Sequence, residues 1–342
     1  MISFYNLKES QAQYINKNVN VKYLYNGEPN REEFKRAIRK KNIIKILKEG
    51  FKAIDILIKK KVLIKREIIN SNSFALISTR YDFSILLSKF GRKNTIKIAQ
   101  EHHHHNNDKK YINILKHKYK NIDYLFALTK GLKEDYEIFL KNNKHTKILT
   151  VPNMLIADNT VYSELNKKDI ISISRLHEGK KINELVNIFS ELEDKGAKLY
   201  IIGDGDEKER LQKQILDLGL QDRIIMTGYL NKKDQVKYLQ EASVFAMTSV
   251  SEGLPMVLLE AMSFGIPCIA YKTQSGVCDI INETNGFVVD NRNEAEYVEK
   301  LNMLLKDENL RHKLANGCIE KTNEYKEEKI IKSWEKVLDN LD

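Results

Sequence analysis

The stretch that decides the fold is SEGLPMVLLEAMSFGIP, residues 251–267. It follows SVFAMTS (243–249), a short continuous apolar run of the kind that forms a buried parallel strand. Pro255 suits the first position of a helix, where its missing N–H is not needed. Gly265 and Pro267 end that helix, which is expected over about residues 255–264. Its first amides, near Met256, Val257 and Leu258, point back toward the turn Ser251–Leu254. A helix start at the carboxyl end of a parallel strand attracts phosphate, and Gly253 lets backbone approach a ligand without an intervening side chain. Glu252 and Glu260 are poor phosphate ligands but good acceptors for sugar hydroxyls. The plainer reading makes Glu252 a helix cap and Glu260 a surface charge.

Outward from this stretch, strands and helices alternate. DIISIS (169–174), KLYIIG (198–203), RIIMTG (223–228), PCIAY (267–271) and GFVV (286–289) read as strands separated by helical patterns. That alternation predicts an α/β domain with a parallel sheet covered on both faces. Before it, VNVKYLY (19–25), FALIST (74–79), TIKIAQ (95–100), YLFALT (124–129) and KILTVP (147–152) read as strands of a second such domain. Residues 31–68 carry fourteen basic residues among apolar Phe34, Ile38, Leu47, Phe51, Ile54 and Leu57. This predicts an amphipathic helix packing its apolar face on the core, with lysines in solvent.

Charge divides with the chain. Residues 1–155 carry 32 Lys and Arg against 14 Asp and Glu, net +18, and the remainder is net −8. A basic half calls for an anionic partner such as lipid headgroups or a lipid phosphate; no aromatic-interleaved basic motif supports nucleic acid. There is no apolar run long enough to span a membrane, and the start MISFYNLKESQ lacks a signal-peptide layout. Cys268, Cys278 and Cys318 are expected as small buried hydrophobes in a reducing compartment. The expected location is the cytoplasm, with the inner face of the membrane as a peripheral site.

EGLPMVLLEAMSFGIP also resembles the E-G-x-P-x-x-x-x-E-A-x-x-x-G-x-P hallmark of the retaining glycosyltransferases of family 4, which have the GT-B fold of two Rossmann-like domains facing a cleft. SRLHEGKK (174–181) resembles that family's G-R-L-x-x-x-K-G segment, LYIIGDGDEKERL its strand and G-x-G turn, and IIMTGYL its strand and loop. AQEH (99–102) resembles its strand ending in histidine, and VPN (151–153) its interdomain strand. The resemblance implies a hexosyltransferase of surface polysaccharide or glycolipid synthesis. It would use a nucleotide diphosphate sugar, UDP-linked, a glycan or lipid-linked acceptor, and no metal or other cofactor. It implies domains over 1–155 and 156–325, with a C-terminal helix over 326–342 packing back on the first. Arg175 and Lys180 would grip the diphosphate, Glu252 and His102 the donor sugar, and Glu260 the ribose. Gly203, Gly205, Tyr229, Leu230, Gly253, Leu254, Pro255, Met256 and Val257 would line the donor site.

Ser174 and Lys181 stand where the family has glycine. The family's opening strand, glycine-rich loop and helix have no counterpart before MISFY, which makes a catalytically silent GT-B subunit stabilising a partner enzyme the alternative. EHHHH (101–105) offers four imidazoles, but adjacent histidines rarely converge on one ion. Beyond His102, they are expected at the rim of the cleft. Asp204-Gly205-Asp206 reads D-x-D, yet its place between strand and helix favours a turn, with Asp206 capping the helix.

Overall fold

The computed structural model describes residues 1–6, 15–102, 105–157, 161–273 and 276–339. The chain divides into two compact units, one of Met1–Ala99 with His117–Tyr124, the other of Gln100–Lys116 with Leu125–Asp342.

In the first unit β1 (Ile2–Tyr5) runs parallel to β2 (Lys22–Tyr25), with Tyr5 opposite Tyr25. Phe4 stacks on the Tyr25 ring at 5.3 Å between centroids. β3 (Ala75–Ser78) pairs in parallel with β4 (Ile96–Gln100). The helical stretch expected over 31–68 is two helices, Arg31–Arg39 and Ile43–Asn70. They part at Lys41, which is left-handed with φ 50°, and Asn42 caps the second by accepting from the Lys45 amide at 3.0 Å. An asparagine oxygen competes well for the unpaired amides of a helix start, which is why the chain restarts there. The expected core face also differs. Ile56, Ile64 and Ile68 are buried, while Leu47, Phe51, Ile54 and Leu57 are 55–73% exposed. The 3.6-residue periodicity was legible, but two apolar stripes share this helix, and the buried one was not the stripe singled out.

In the second unit β5 (Tyr124–Ala127) and β6 (Lys147–Thr150) lie side by side, Val151 N–H donating to Ala127 O at 2.9 Å. Phe126 is fully buried, and Trp334 of the helix Glu327–Leu338 meets it edge-on at 5.0 Å. Of the C-terminal helix expected over 326–342, residues 340–342 lie outside the described residues.

The main body of this unit is a six-stranded, wholly parallel sheet. It uses β7 (Asp169–Ile173), β8 (Lys198–Ile202), β9 (Ile224–Gly228), β10 (Val244–Met247), β11 (Cys268–Tyr271) and β12 (Gly286–Val289), in the order β12-β11-β10-β7-β8-β9. Ile170, Val244, Phe245 and Ile269 are fully buried, as strands covered by helices on both faces require. Phe189, Leu185 and Leu301 cover the sheet from their helices; burying one such side chain contributes roughly 1.5–3 kcal/mol. Tyr297, also fully buried, donates its hydroxyl to Ile269 O at 3.0 Å and accepts from the Met247 amide at 3.1 Å.

Cys268 and Cys318 are buried as expected, but Cys278 is exposed. Burial raises the pKa of all three thiols, Cys278 included, so exposure decides which of them a reagent reaches. A thiol reagent should therefore label one of the three cysteines in the native protein, Cys278, and all three after denaturation.

Candidate functional site

The strand order reverses beside β7: the chain proceeds to β8 and β9 on one side, then returns to β10 on the other. At such a switch point the loops leaving two neighbouring strands part and open a crevice at their carboxyl ends. Ser172–Ser174, Lys180 and Ile182 line this crevice from the β7 side, and Met247–Ser249, Glu252 and Val257 line it from the β10 side.

After β7 the chain forms a single 3-10 turn, Glu178–Lys180. His177 caps it, Nδ1 accepting from the Gly179 amide at 3.0 Å. Thr248 reaches the Lys180 and Lys181 carbonyls with its hydroxyl, both at 3.0 Å, and Val250 N–H donates to Gly179 O at 3.0 Å. These bonds hold the lysine against the turn carrying Glu252. Lys180 Nζ donates to Glu252 Oε1 at 2.5 Å, the side chains being 23% and 13% exposed. Glu252 thus pairs with a cation; the helix behind it has no side-chain cap, so the capping reading falls. Partial burial pushes the His177 pKa below its ordinary value, and neighbouring Lys180 and Arg175 add to the depression. Arg175 itself is exposed. The Ser174 hydroxyl, which lines the crevice, is buried and has no hydrogen-bond partner among the described residues. A buried hydroxyl left unbonded costs about 1–3 kcal/mol, and an incoming anion or hydroxyl would relieve that cost.

Gly203 and Gly205 serve the crevice from beneath. A Cβ on Gly203 would lie 1.8 Å from the Ser174 carbonyl oxygen, and one on Gly205 2.2 Å from that of Leu176. The missing side chains let Ser174 N–H reach Ile202 O at 3.0 Å and Leu176 N–H reach Asp204 O at 2.9 Å. Asp204 Oδ1 accepts from the Gly205 amide, as a turn requires. The following helix, Lys208–Asp217, takes Glu207 as its N-cap residue rather than Asp206 and has no side-chain cap bond. Among the described residues, no group of three or more His, Cys, Asp or Glu is placed to hold a metal ion.

The helix of the opening motif is shorter than expected, Met256–Met262, with Pro255 as N-cap. Its end is tightened by Phe264 N–H to Ala261 O and Gly265 N–H to Met262 O. Met256 and Val257 amides have no intrahelical acceptor, whereas Leu258 N–H already donates to Pro255 O at 3.0 Å. Leu254 and Pro255 are buried and support the turn. Glu260 forms an ion pair with Lys232, whose helix follows the loop Tyr229-Leu230. This brings Glu260 beside that loop. Tyr229 is 77% exposed, and the Leu230 carbonyl accepts from Gln235 Nε2 at 2.8 Å.

His102 is half-buried. Ser251 Oγ hydrogen-bonds the Asn106 side chain, which ties the segment after His102 to the motif turn. His105 does not sit at a rim: it is 2% exposed, its Nε2 faces Asp135 Oδ2 at 2.8 Å, and Nδ1 accepts from the Asn107 amide. His103 and His104 lie outside the described residues.

Sequence reasoning missed Arg292. Its guanidinium donates to Thr248 O at 2.9 Å, pairs with Glu184 and lies 4.4 Å above the Tyr271 ring, so it fastens the end of β10. Nothing periodic marks it. Lys181, by contrast, was flagged as a departure from glycine, and its φ of 51° and ψ of 37° show why glycine suits that position. A left-handed residue with a Cβ costs about 1–2 kcal/mol, partly offset by the chain entropy glycine loses. Lys181→Gly is therefore expected to stabilise the second unit by about 0.5–1 kcal/mol, read as a melting point about 2 °C higher.

Residues 158–321 match the family model described as Glycosyl transferases group 1. The amylovoran biosynthesis glycosyltransferase AmsD of Erwinia amylovora is 30% identical over 223 residues, covering 61% of this chain and 63% of that protein. The lipopolysaccharide 1,6-galactosyltransferase of Salmonella typhimurium is 31% identical over 209 residues, covering 58% of this chain and 57% of that protein. The chain thus spans less than two thirds of the length of these relatives. Among solved structures, S. aureus TarM bound to fondaparinux, α-GlcNAc-glycerol and UDP superposes with TM-score 0.70 at 23% identity, over 80% of this chain and 58% of that one. The lipopolysaccharide outer core galactosyltransferase WaaB does so with TM-score 0.68 at 21% identity, over 84% and 80%. The fold is accordingly the GT-B fold.

Proposed function

We propose that this chain, whose residues 158–321 match the group 1 glycosyl transferases, transfers a hexose from a UDP-sugar to a glycan or lipid-linked acceptor with retention of the α configuration. The observation that carries this reading is the Lys180–Glu252 pair beside the unbonded Ser174 hydroxyl, in the crevice where β7 and β10 part. A diphosphate there would draw Lys180 Nζ to itself, with Arg175 as the second cation. The two charges offset the negative charge that builds on the leaving diphosphate as the glycosidic bond breaks. Glu252, released from Lys180, accepts from hydroxyls of the donor sugar. Glu260, released from Lys232, accepts from the ribose hydroxyls. The amides of Met256 and Val257 face the phosphates at the helix start, and His102 lines the sugar pocket.

Relatives named for amylovoran biosynthesis and for lipopolysaccharide galactosyl transfer support this acceptor class; surface polysaccharide or glycolipid assembly is the corresponding role in this reading. The net charge of +18 on residues 1–155 suits an acceptor held at an anionic membrane face. The protein needs no metal in this scheme, since Arg175 and Lys180 supply the cations. The test is UDP release on adding a panel of UDP-sugars with and without lipid-linked glycan. Turnover with one of them is the expected result. Tight UDP binding with no turnover on any would instead favour a silent subunit that stabilises a partner transferase.

A further inference from the structure

We propose that the helix Ile43–Asn70 lies flat on an anionic lipid bilayer through its exposed apolar stripe. This deepens the membrane contact in the proposed function and rests on that reading. Ile44, Leu47, Phe51, Ile54, Ile58 and Val62 follow one another at three- and four-residue steps and are 80, 59, 73, 55, 57 and 56% exposed. At that spacing they form one continuous face. It is not the face the helix uses for packing, which carries Ile56, Ile64 and Ile68. Single exposed apolar residues are ordinary, but a row of six large ones marks an interaction surface.

The surrounding charge identifies the occupant. The helix holds eight basic and three acidic residues. Asp55 is paired with Lys59 and Glu67 with Lys22, and Glu49 accepts from Asn30. Lys48, Lys52 and Arg66 fall on one shoulder of the stripe by helical position, and all three are exposed. An apolar face with a basic shoulder matches the boundary between acyl chains and anionic headgroups. The helix does not cross: no helix among the described residues is long and apolar enough to span a membrane.

The experiment is co-sedimentation with vesicles of phosphatidylglycerol and phosphatidylethanolamine, with phosphatidylcholine vesicles and UDP titration run in parallel. Wild-type protein should sediment with the anionic vesicles at least ten times more than with phosphatidylcholine, and high salt should weaken that binding. Leu47→Glu with Phe51→Glu should lose vesicle binding at least tenfold, and Lys48→Glu with Lys52→Glu should lose most of the preference for anionic lipid. Both variants change exposed side chains, so circular dichroism and UDP affinity should match wild type. That separates failure of this proposal from failure of the donor site, which UDP titration reads alone. Equal sedimentation of wild type and both variants overturns the proposal. So does a wild-type dimer that Leu47→Glu with Phe51→Glu converts to monomer without any vesicle binding, since the stripe is then an interface between copies.

Discussion

Glu252→Gln is expected to lower kcat by about 10²–10³-fold while changing UDP affinity by no more than about threefold. The substitution keeps the shape of the side chain and an oxygen facing Lys180 Nζ, now 2.5 Å from Glu252 Oε1, so the loop after β7 stays in place. In the proposed role, what disappears is the negative charge that would draw the donor sugar's hydroxyls as positive charge develops on the ring. UDP lacks the sugar, and on the proposed reading its binding would draw on Lys180, Arg175 and the backbone instead. Freed from a charged partner, Lys180 becomes more available to the diphosphate, so any change in affinity should be toward tighter binding. Steady-state kinetics with the active donor, beside calorimetry with UDP, separates the two effects. An equal loss in both would contradict the role given to Glu252.

The second large effect is structural. Gly203→Ala puts a methyl carbon where the Ser174 carbonyl oxygen stands 1.8 Å away, and neither partner is a side chain that can swing aside. Relief requires parting the chain after β7 from the chain after β8. That breaks or stretches the Ser174-to-Ile202 and Leu176-to-Asp204 hydrogen bonds. Overpacking commonly costs 1–3 kcal/mol, and a clash between two backbones should cost at least about 3 kcal/mol. The melting point should fall by roughly 6–12 °C. UDP affinity should drop more than about tenfold, because Ser174–Lys180 moves with the displaced backbone. A variant that melts within a degree of wild type would show that the glycine is not needed for this close approach.

The sheet of the second unit was legible because parallel strands buried on both faces read as unbroken apolar runs, and all six were visible. The pairing of Lys180 with Glu252 was not. Those residues are 72 positions apart, and nothing in either local pattern reports the other. Glu252 looked like a possible cap because capping is a local rule; the tertiary partner took precedence. His105 shows the same limit: a histidine in a run of four looks exposed until Asp135, thirty residues on, is found against it. On the helix Ile43–Asn70 the periodicity revealed apolar faces without revealing which of two would find a partner. Lys181 stood out in the sequence only as a departure from the family's glycine; its left-handed backbone, φ 51° and ψ 37°, is a finding of the structure.

The central claim is that the crevice between β7 and β10 grips a nucleotide diphosphate through Lys180, and calorimetric titration of UDP into wild type and Lys180→Met tests it most directly. Saturable binding by wild type, weakened by about tenfold or more in the variant, is the predicted result. No binding by wild type, or the same affinity in both proteins, would contradict it.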